Sequence, residues 1–432
     1  MNVGGRDLKL EYGKFSQQAN AAILVTYGET MVHVTTVMGK SETTLSYFPL
    51  SVDFAEKLYA GGKIKGSRWV KRDGRPSDEA ILKGRIIDRS IRPLFPKSVK
   101  RDVQVIATVL SADGENDADM PGLVATSAAL SVSDIPWEGP IAGVRVGMID
   151  GVYVANPTYE QRKSSKLDLI VTGSAEAIVM VEAGANEVTE DEVLKAMQFA
   201  HEEIKKIIAI ILDLQKQIGK VKQEFAEIIT IPEDLRKEVS DKIRADLAAK
   251  LGVPGSEDGL IEGFIALLKD SYVDKLDSKQ LGEIIHDVLG EETRKTTIEK
   301  EVRIDGRKLT QLRELEAEID ILPRTHGSAM FKRGATQVLS IATLGAPSLG
   351  QILETMESET VKHYIHHYTM PPYASGETGR FGPPGRREIG HGALAERALM
   401  PMLPAEIDFP YTIMVVSEVM SSNGSTSQAS VC

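Results

Sequence analysis

The chain contains two copies of one sequence pattern, and this repetition limits its possible folds more than any other feature. Residues 28–39 return as residues 334–345, which lie 306 positions later. Residues 84–96 return as residues 392–404, which lie 308 positions later. A nearly constant offset over both segments indicates a duplicated domain and not a chance likeness between strands.

The composition excludes several classes of protein. Nowhere does the chain reach the roughly 18 uninterrupted apolar residues that a membrane span requires, so no membrane partner is expected. Residues 1–7 lack the apolar core of a signal peptide. The single cysteine is Cys432, which leaves neither a disulfide nor a cysteine-based zinc site. These features predict a protein of the reducing cytoplasm.

Changes in the strand and helix patterns along the sequence predict three domains. Residues 1–212 mix strand and helix patterns and hold the first copy. Residues 213–300 show almost no strand signal, which is typical of a small all-α domain. Residues 301–432 return to strand patterns and hold the second copy. The predicted fold class is therefore α/β, more strictly α+β, with two related domains flanking a small all-α domain.

Periodicity places the elements that matter for function. Residues 78–91 have helical spacing in the first copy, and a helix is predicted over residues 388–402 in the second. Residues 411–419 predict a strand. In the register of the first copy, the second domain is incomplete, and roughly a hundred of its residues are expected beyond Cys432.

The strongest site signal is the glycine-rich segment 376–392. Its glycines predict a loop that a ligand can approach closely, and Arg386 and Arg387 follow where a helix should begin. Adjacent guanidinium groups at a helix N-terminus suit phosphate oxygens, because fork geometry and the helix dipole act together. The alternative is a mobile loop whose arginines pair with surface carboxylates, and this segment alone leaves both open.

The first copy helps to choose between these alternatives. At an offset of 308, Arg386 and Arg387 fall opposite Asp78 and Glu79. Two positive charges in one copy are therefore two negative charges in the other. A solvated surface tolerates either sign, whereas a phosphate site does not. The second copy is predicted to be competent for phosphate and the first to be disabled.

A hydroxyl-rich run at residues 421–428 gives a second signal. It follows a predicted strand and offers hydroxyl and backbone N–H groups to an oxyanion. The alternative is an ordinary turn with an N-cap serine. The first copy has the acidic run 113–119 in the corresponding place. Two segments thus lose compatibility with phosphate in the same copy.

The basic segment, residues 63–75, carries Trp69 among its cations, although the net charge of the chain is −11. An aromatic ring among cations is typical of a platform for single-stranded nucleic acid, which needs stacking and charge together. The alternative is a solvated hairpin with a partly buried tryptophan. A metal site at His363, His366 and His367 is not favoured, since neighbours in a strand point to opposite faces.

These features together closely resemble the polynucleotide phosphorylase family. The resemblance rests on the duplication, the helical insert and the motifs at residues 86–96, 371–373, 385–392 and 421–432, and it covers essentially the whole chain. It implies two RNase PH-type domains joined by a helical domain, with KH and OB-fold modules following. It also implies 3′-to-5′ degradation of single-stranded RNA by inorganic phosphate in mRNA turnover. Nucleoside 5′-diphosphates would be released, and the reaction would run backwards as a polymerase.

The resemblance also implies roles for residues of the second copy. Thr426 and Ser427 would hold the attacking phosphate. Arg386, Arg387 and His391 would bind the phosphates and sugar of the 3′-terminal nucleotides.

In the first copy, Trp69, Lys71 and Arg72 match the family's aperture loop, which binds RNA and normally has two aromatic residues followed by two arginines. Here Val70 replaces one aromatic residue, Lys71 replaces one arginine, and Arg68 looks inserted. The grip on RNA is therefore expected to differ from that of the family.

The family's catalytic aspartates and lysine, which bind magnesium, would fall beyond Cys432. No catalytic residue and no metal ligand are therefore expected within the chain, and the chain alone is expected to be inactive. Asp168 of the first copy keeps one of the acids without the lysine, which suits a silent copy. Mg²⁺ and inorganic phosphate would be the cofactor and co-substrate.

The implied partners are single-stranded RNA, further copies of the chain in a homotrimer, and an RNA-degradation complex with a helicase and an endonuclease. A different class of answer stays open, namely a non-catalytic RNA-binding subunit of an RNase PH-type ring. A hydrolytic, metal-dependent exonuclease is a third possibility, which the phosphate-compatible loop disfavours.

Overall fold

The computed structural model describes residues 1–43, 47–66, 69, 71–225, 231–253 and 259–432. The chain divides into two compact units. One unit combines Met1–Phe225 with Glu316–Cys432 and holds both copies of the pattern. The other unit is Ala226–Leu315. Among the described residues, no helix combines the length and the apolar character needed to cross a membrane.

The first copy is built on a six-stranded sheet with the order β1-β2-β3-β4-β6-β5. Its strands are β1 Asn2–Val3, β2 Arg6–Tyr12, β3 Ala21–Tyr27, β4 Thr30–Glu42, β5 Leu50–Ala55 and β6 Arg101–Ser111. Strands β5 and β6 are parallel, so a crossover must join them, and helix α1 (Asp78–Ile91) lies in that crossover. Helix α2 (Asp119–Val132) is buried along its whole length and packs on β3 and β4.

A second sheet follows in the first copy, with the order β10-β9-β7-β8. Its strands are β7 Ala142–Ile149, β8 Val152–Ala155, β9 Leu167–Gly173 and β10 Ile178–Ala185, and the short helix α3 spans Tyr159–Lys163. Helix α4 (Glu190–Ile218) begins at the N-cap Thr189 and packs on β7, β9 and α2. Helix α2 therefore lies in the middle of one continuous core.

The helical unit contains helices α5 (Glu233–Lys250), α6 (Leu260–Leu268) and α7 (Ser278–Lys300). Their apolar faces form a separate core around Val239, Leu281 and Ile284, and Ile304 packs against it. The unit thus reaches past the predicted limit of residue 300, and the predicted start at residue 213 falls inside α4. The compact units are defined by contacts and do not correspond one to one to the three predicted domains, so the bounds 1–212, 213–300 and 301–432 stay predictions.

The second copy repeats the first sheet with the order β11-β12-β13-β17-β16. Its elements are β11 Leu315–Ile319, β12 Gly327–Arg333, β13 Thr336–Gly345, β14 Gln351–Glu354, β15 Glu359–Lys362, β16 Tyr364–Thr369, α8 Arg386–Leu399, β17 Thr412–Ser421 and α9 Thr426–Val431. Strands β14 and β15 form a separate hairpin. Strands β16 and β17 are parallel and are joined through α8, as β5 and β6 are joined through α1.

The two copies can therefore be compared residue by residue. Helix α8 lies 308 positions after α1 at both of its ends, so the predicted pairing of Arg386 and Arg387 with Asp78 and Glu79 holds in the structure. The predicted helix 78–91 is confirmed, whereas the helix predicted from residue 388 begins two residues earlier. Short 3-10 helices complete the fold at Leu58–Gly61, Arg92–Leu94, Lys269–Ser271, Pro347–Leu349, Pro372–Ser375 and Met400–Met402.

Candidate active site

Helix α8 begins at the two arginines that the sequence singled out. Gly385 is the N-cap residue, and its N–H donates to the Glu388 carboxylate at 2.7 Å. The same carboxylate accepts the N–H of Met370, just past the end of β16, at 2.9 Å. Glu388 therefore ties the start of the helix to the sheet and fixes the direction in which Arg386 and Arg387 leave it.

Arg387 leads a connected line of side chains across the second copy. Its Nε donates to His391 Nε2 at 3.3 Å. The His391 ring stacks on Tyr368, with ring centroids 5.0 Å apart and planes 20° from parallel. The Tyr368 hydroxyl lies 2.6 Å from Thr426 Oγ1. Helix α8, strand β16 and helix α9 thus bring together a guanidinium group, an imidazole and two hydroxyls.

The surroundings of His391 favour the neutral form of its imidazole. Burial lowers the pKa of His391, and the neighbouring cations Arg387 and Arg85 lower it further. Because Arg387 donates to Nε2, we assign the proton of the neutral ring to Nδ1. Nδ1 is buried and has no hydrogen-bond partner among the residues that the structure describes. A buried donor without a partner favours an acceptor beside it.

Thr426 and Ser427 are the first two residues of α9. Both are buried, and they follow Ser425, whose backbone is left-handed with φ of 54°. Thr426 contacts Tyr368, whereas Ser427 Oγ donates to Gln428 Oε1 at 3.1 Å. In this arrangement Thr426 joins the Arg387–His391 line, while Ser427 is directed to its own helix.

Arg386 faces the first copy instead. Its guanidinium group pairs with the Asp53 carboxylate and donates to the carbonyl of Val52, and both acceptors lie on β5. For this arginine the structure shows the alternative that the sequence left open, a pairing with a carboxylate. Its contact with RNA stays a prediction.

Sequence reasoning missed Arg85, which lies on α1 beside the α8 site. Its side chain packs over Gly390, where an added Cβ would lie 2.4 Å from Arg85 Nε. Burial lowers the pKa of Arg85, and Arg89 and Arg387 lower it further, although two carboxylates oppose them in part. Such crowding of positive charge favours an anion nearby. In the sequence, the i,i+4 spacing of Arg85 and Arg89 predicts no more than a helix face.

A cavity of about 470 Å³ opens beside these residues, between α1, α8 and β10. Its charged and titratable lining consists of Arg85, Arg89, His391, Arg397 and Glu182. The Glu182 carboxylate accepts from Arg89 and from Arg397, each at 2.8 Å. One carboxylate thus faces three guanidinium groups, so the cavity has an excess of positive charge that suits a phosphodiester backbone.

The corresponding place in the first copy is occupied by ion pairs. Lys83, at the position of His391, lies 2.9 Å from the Glu56 carboxylate and 3.0 Å from that of Asp117. Burial alone would raise the pKa of Asp117, but Lys83 and two arginines outweigh it and hold that pKa well below its usual range. The charges at this place are thus neutralised by one another.

The counterpart of Thr426 in the first copy is Asp119, the first residue of α2. Its carboxylate lies 2.5 Å from Arg145, and Arg145 lies equally close to Asp168. An incoming phosphate would therefore meet carboxylates that already hold their cations. This contrast supports the prediction that the two copies differ in phosphate binding. That the first copy is catalytically inactive stays a prediction.

The basic segment lies apart from this line. The Trp69 side chain is 87% exposed, which suits stacking against a base, and Arg72 is exposed as well. Lys71 Nζ donates to the carbonyl of Lys65 at 2.8 Å, so Lys71 contributes to the shape of the segment. The departures from the family pattern at positions 68 and 70 lie outside the described residues.

The described residues do not fit the magnesium ion that the resemblance implies. Within them, no group of three or more His, Cys, Asp or Glu side chains could hold a metal ion. At the histidines of β16, both ring nitrogens of His366 lie 2.9 Å from hydroxyls, those of Tyr364 and Ser417. We therefore assign no catalytic step to a metal.

Comparison with known families covers most of the chain. The model of the 3′ exoribonuclease family, domain 1, matches residues 4–136 and again residues 311–432. The model of domain 2 of the same family matches residues 139–203. The two matches of domain 1 coincide with the two copies of the pattern.

Similar proteins carry the name polyribonucleotide nucleotidyltransferase. That of Alkaliphilus oremlandii is 49% identical over 100% of this chain and 62% of its own length. That of Finegoldia magna is 50% identical over 99% of this chain and 60% of its own length. The chain thus spans about 60% of the length of these relatives. A solved chain titled as the Archaeoglobus fulgidus exosome with RNA bound to the active site shares 18% identity over 47% of this chain and 87% of its own, with a TM-score of 0.39. Structural similarity at this level does not support an assignment of fold or function.

Proposed function

Because the chain belongs to the RNase PH family of 3′ exoribonucleases and is similar to polyribonucleotide nucleotidyltransferases, we propose that it supplies the RNA- and phosphate-binding part of a phosphorolytic enzyme. The substrate is single-stranded RNA, which is shortened from its 3′ end. Inorganic phosphate is the co-substrate, and nucleoside 5′-diphosphates are the products.

The observation that carries this proposal is the line from Arg387 through His391 and Tyr368 to Thr426. It places a cation, a buried donor and a hydroxyl around one region of the second copy. Arg85 adds a further cation from the first copy. Phosphoryl transfer needs such positioning and charge neutralisation more than it needs covalent chemistry from the protein.

The proposed step is an in-line displacement at the terminal phosphodiester. An oxygen of inorganic phosphate forms a bond to the phosphorus of the last nucleotide, and the bond from that phosphorus to the 3′-oxygen of the preceding ribose breaks. The leaving 3′-oxygen takes up the proton that the attacking hydrogen phosphate releases, and the last nucleotide departs as a diphosphate. A phosphodiester is exchanged for a diphosphate linkage, so the free energies nearly balance and the reaction runs in both directions.

In this proposal the residues take the roles that the family resemblance implies. Thr426 and Ser427 hold the attacking phosphate, for which Ser427 must turn away from Gln428. Arg387, His391 and Arg386 bind the phosphates and sugar at the 3′ end. Arg387 lies nearest to this role, since Arg386 is paired with Asp53.

The wider setting belongs to the same proposal. In it, the basic segment binds RNA upstream of the 3′ end through Trp69, Lys71 and Arg72. Three chains form a homotrimer that acts in the cytoplasm in mRNA turnover, within a complex that contains a helicase and an endonuclease. The complete enzyme uses Mg²⁺, whose ligands are not among the described residues of this chain.

A second function is favoured by the pairing of Arg386 with Asp53 and of Ser427 with Gln428, since neither side chain then faces a ligand. The chain would then be a non-catalytic subunit that binds RNA in an RNase PH-type ring. A metal-dependent hydrolase is a third candidate, which the hydroxyl groups at the start of α9 disfavour because they suit phosphate.

One experiment separates these functions. RNA is incubated with the chain, and with a chimera continued by the C-terminal part of the Alkaliphilus oremlandii relative, each with and without inorganic phosphate. We expect the chain to retain RNA without releasing nucleotides, and the chimera to release nucleoside diphosphates only when phosphate is present. Monophosphate products would indicate hydrolysis. A chimera that retains RNA and never cleaves it would favour the non-catalytic subunit.

A further inference from the structure

A hairpin of the second copy reaches into the first copy beside the basic segment. Strands β14 and β15 pair so that Glu354 lies opposite Glu359, and the Thr355 N–H closes the turn on the carbonyl of Ser358 at 2.9 Å. The four residues 354–357 at the tip of this hairpin each contact the first copy. We call these residues the clasp.

Met356 anchors the clasp. It is 2% exposed and lies within the core of the first copy. Its carbonyl oxygen would lie 1.9 Å from a Cβ at position 61, so the approach depends on Gly61. On the other side, Glu357 accepts the hydroxyl of Tyr159 at 3.0 Å. A buried side chain and contacts on both flanks fix the clasp firmly on the first copy.

Two contacts of the clasp reach the basic segment itself. Glu354 Oε1 accepts the N–H of Gly66 at 2.6 Å, and the carbonyl of Thr355 accepts from Lys63 Nζ at 3.2 Å. Hydrogen bonds to a carboxylate are about twice as strong as neutral ones. Both contacts lie on the N-terminal part of the segment, shortly before Trp69.

Other described residues of the segment are held within the first copy. Lys57 Nζ pairs with the Asp73 carboxylate at 3.0 Å, and Lys71 donates to the carbonyl of Lys65. The clasp thus supplies the described hydrogen bonds through which the second copy sets the position of the segment.

We propose that the clasp, through Glu354, positions the basic segment so that Trp69 and Arg72 meet the RNA whose 3′ end the second copy binds. The consequence for RNA rests on the proposed function, whereas the positioning of the segment does not. Without Glu354 the segment keeps its residues but must be ordered when RNA arrives, and that ordering lowers the affinity.

The test compares three variants of the full chain: Glu354→Ala, Glu354→Gln and Glu359→Ala. Glutamine keeps an acceptor oxygen for the Gly66 N–H. The Glu359 variant removes the same charge from the directly opposite position of the hairpin. Two quantities are measured, the decay of tryptophan fluorescence anisotropy and the dissociation constant for a single-stranded 20-nucleotide oligo(A) at fixed salt. Trp137 is buried and contributes a constant rigid component to the decay.

We expect Glu354→Ala to add a fast component to the Trp69 anisotropy decay and to weaken oligo(A) binding about 2- to 10-fold. Glu354→Gln should restore both quantities, and Glu359→Ala should leave both unchanged. An unchanged decay in Glu354→Ala, or an equal effect of Glu359→Ala, would overturn the positioning role. A mobile Trp69 with unchanged oligo(A) affinity would uphold the positioning and overturn the part of the proposed function that assigns RNA to the basic segment.

Discussion

Tyr368 connects His391 of α8 to Thr426 of α9. Removal of its hydroxyl group therefore tests the candidate site with a small change. Tyr368→Phe keeps the ring that stacks on His391 but removes the oxygen that lies 2.6 Å from Thr426 Oγ1. Tyr368 and Thr426 are 4% and 5% exposed, so water does not readily replace the lost partner.

The expected magnitude follows from this one hydrogen bond. When Tyr368 donates to Thr426 Oγ1, the hydrogen of Thr426 is left to donate to phosphate, and the first bond polarises the second. The net value of such a bond is about 0.5–1.5 kcal/mol. This corresponds to phosphate binding that is about 2- to 13-fold weaker. Affinity for RNA should not change, because it depends in this account on Arg387 and His391.

Calorimetric titration with inorganic phosphate measures the first quantity, and a fluorescent RNA oligonucleotide measures the second. Tyr373→Phe is the matched control, since Tyr373 is exposed and its hydroxyl contacts the sulfur of Met420 at 4.0 Å. The control should change neither affinity. An unchanged phosphate affinity in Tyr368→Phe would refute the claim that Tyr368 orients Thr426.

Two further predictions concern Gly390 and the ion pairs of the first copy. Gly390→Ala places a methyl group 2.4 Å from Arg85 Nε and must displace that flexible side chain, so RNA binding should weaken with little loss of thermal stability. Gly290→Ala, which meets open space in α7, should leave RNA binding unchanged, and an equal loss would contradict the role of Arg85. The pKa values of Asp117 and Asp168 are depressed on folding, because nearby cations outweigh the effect of burial. Their contribution to stability is therefore present above the unfolded pKa of about 3.9 and lost as the pH falls through the lower folded values. Urea unfolding followed by Trp137 emission should show a free energy of unfolding that falls below about pH 4, and a flat profile would contradict the account.

Local features of the fold could be predicted from the sequence. The helix 78–91 was accessible because its apolar spacing is local, and Ser77 accepts the N–H of Ala80 as an N-cap. The difference in charge between the copies could also be predicted, because α1 and α8 are separated by a constant offset of residues at both of their ends. Two adjacent arginines at the start of α8 therefore predicted a candidate site, of which Arg387 joins the line to Thr426 whereas Arg386 pairs with Asp53.

Contacts between distant segments could not be predicted. Arg386 pairs with Asp53, 333 residues away, and no pattern along the chain records that partner. The role of Arg85 depends on the packing of α1 against α8, which brings it over Gly390. The clasp contacts have the same origin, since Met356 enters the core of the other copy. The contact of Ile304 with the core of the helical unit has the same origin, since Ile304 lies outside any helical periodicity.

The central claim is that phosphate binds in the second copy and not in the first, and equilibrium binding of inorganic phosphate tests it most directly. The chain is compared with Thr426→Val in the second copy and with Arg162→Gln in the first, where Arg162 pairs with Asp117 at 3.0 Å. We predict that the chain binds a single phosphate and that Thr426→Val weakens binding at least about tenfold, as expected for a lost hydrogen bond to a charged group. Arg162→Gln should leave the affinity unchanged. Loss of binding in Arg162→Gln, with Thr426→Val unaffected, would place the phosphate in the wrong copy and contradict the account.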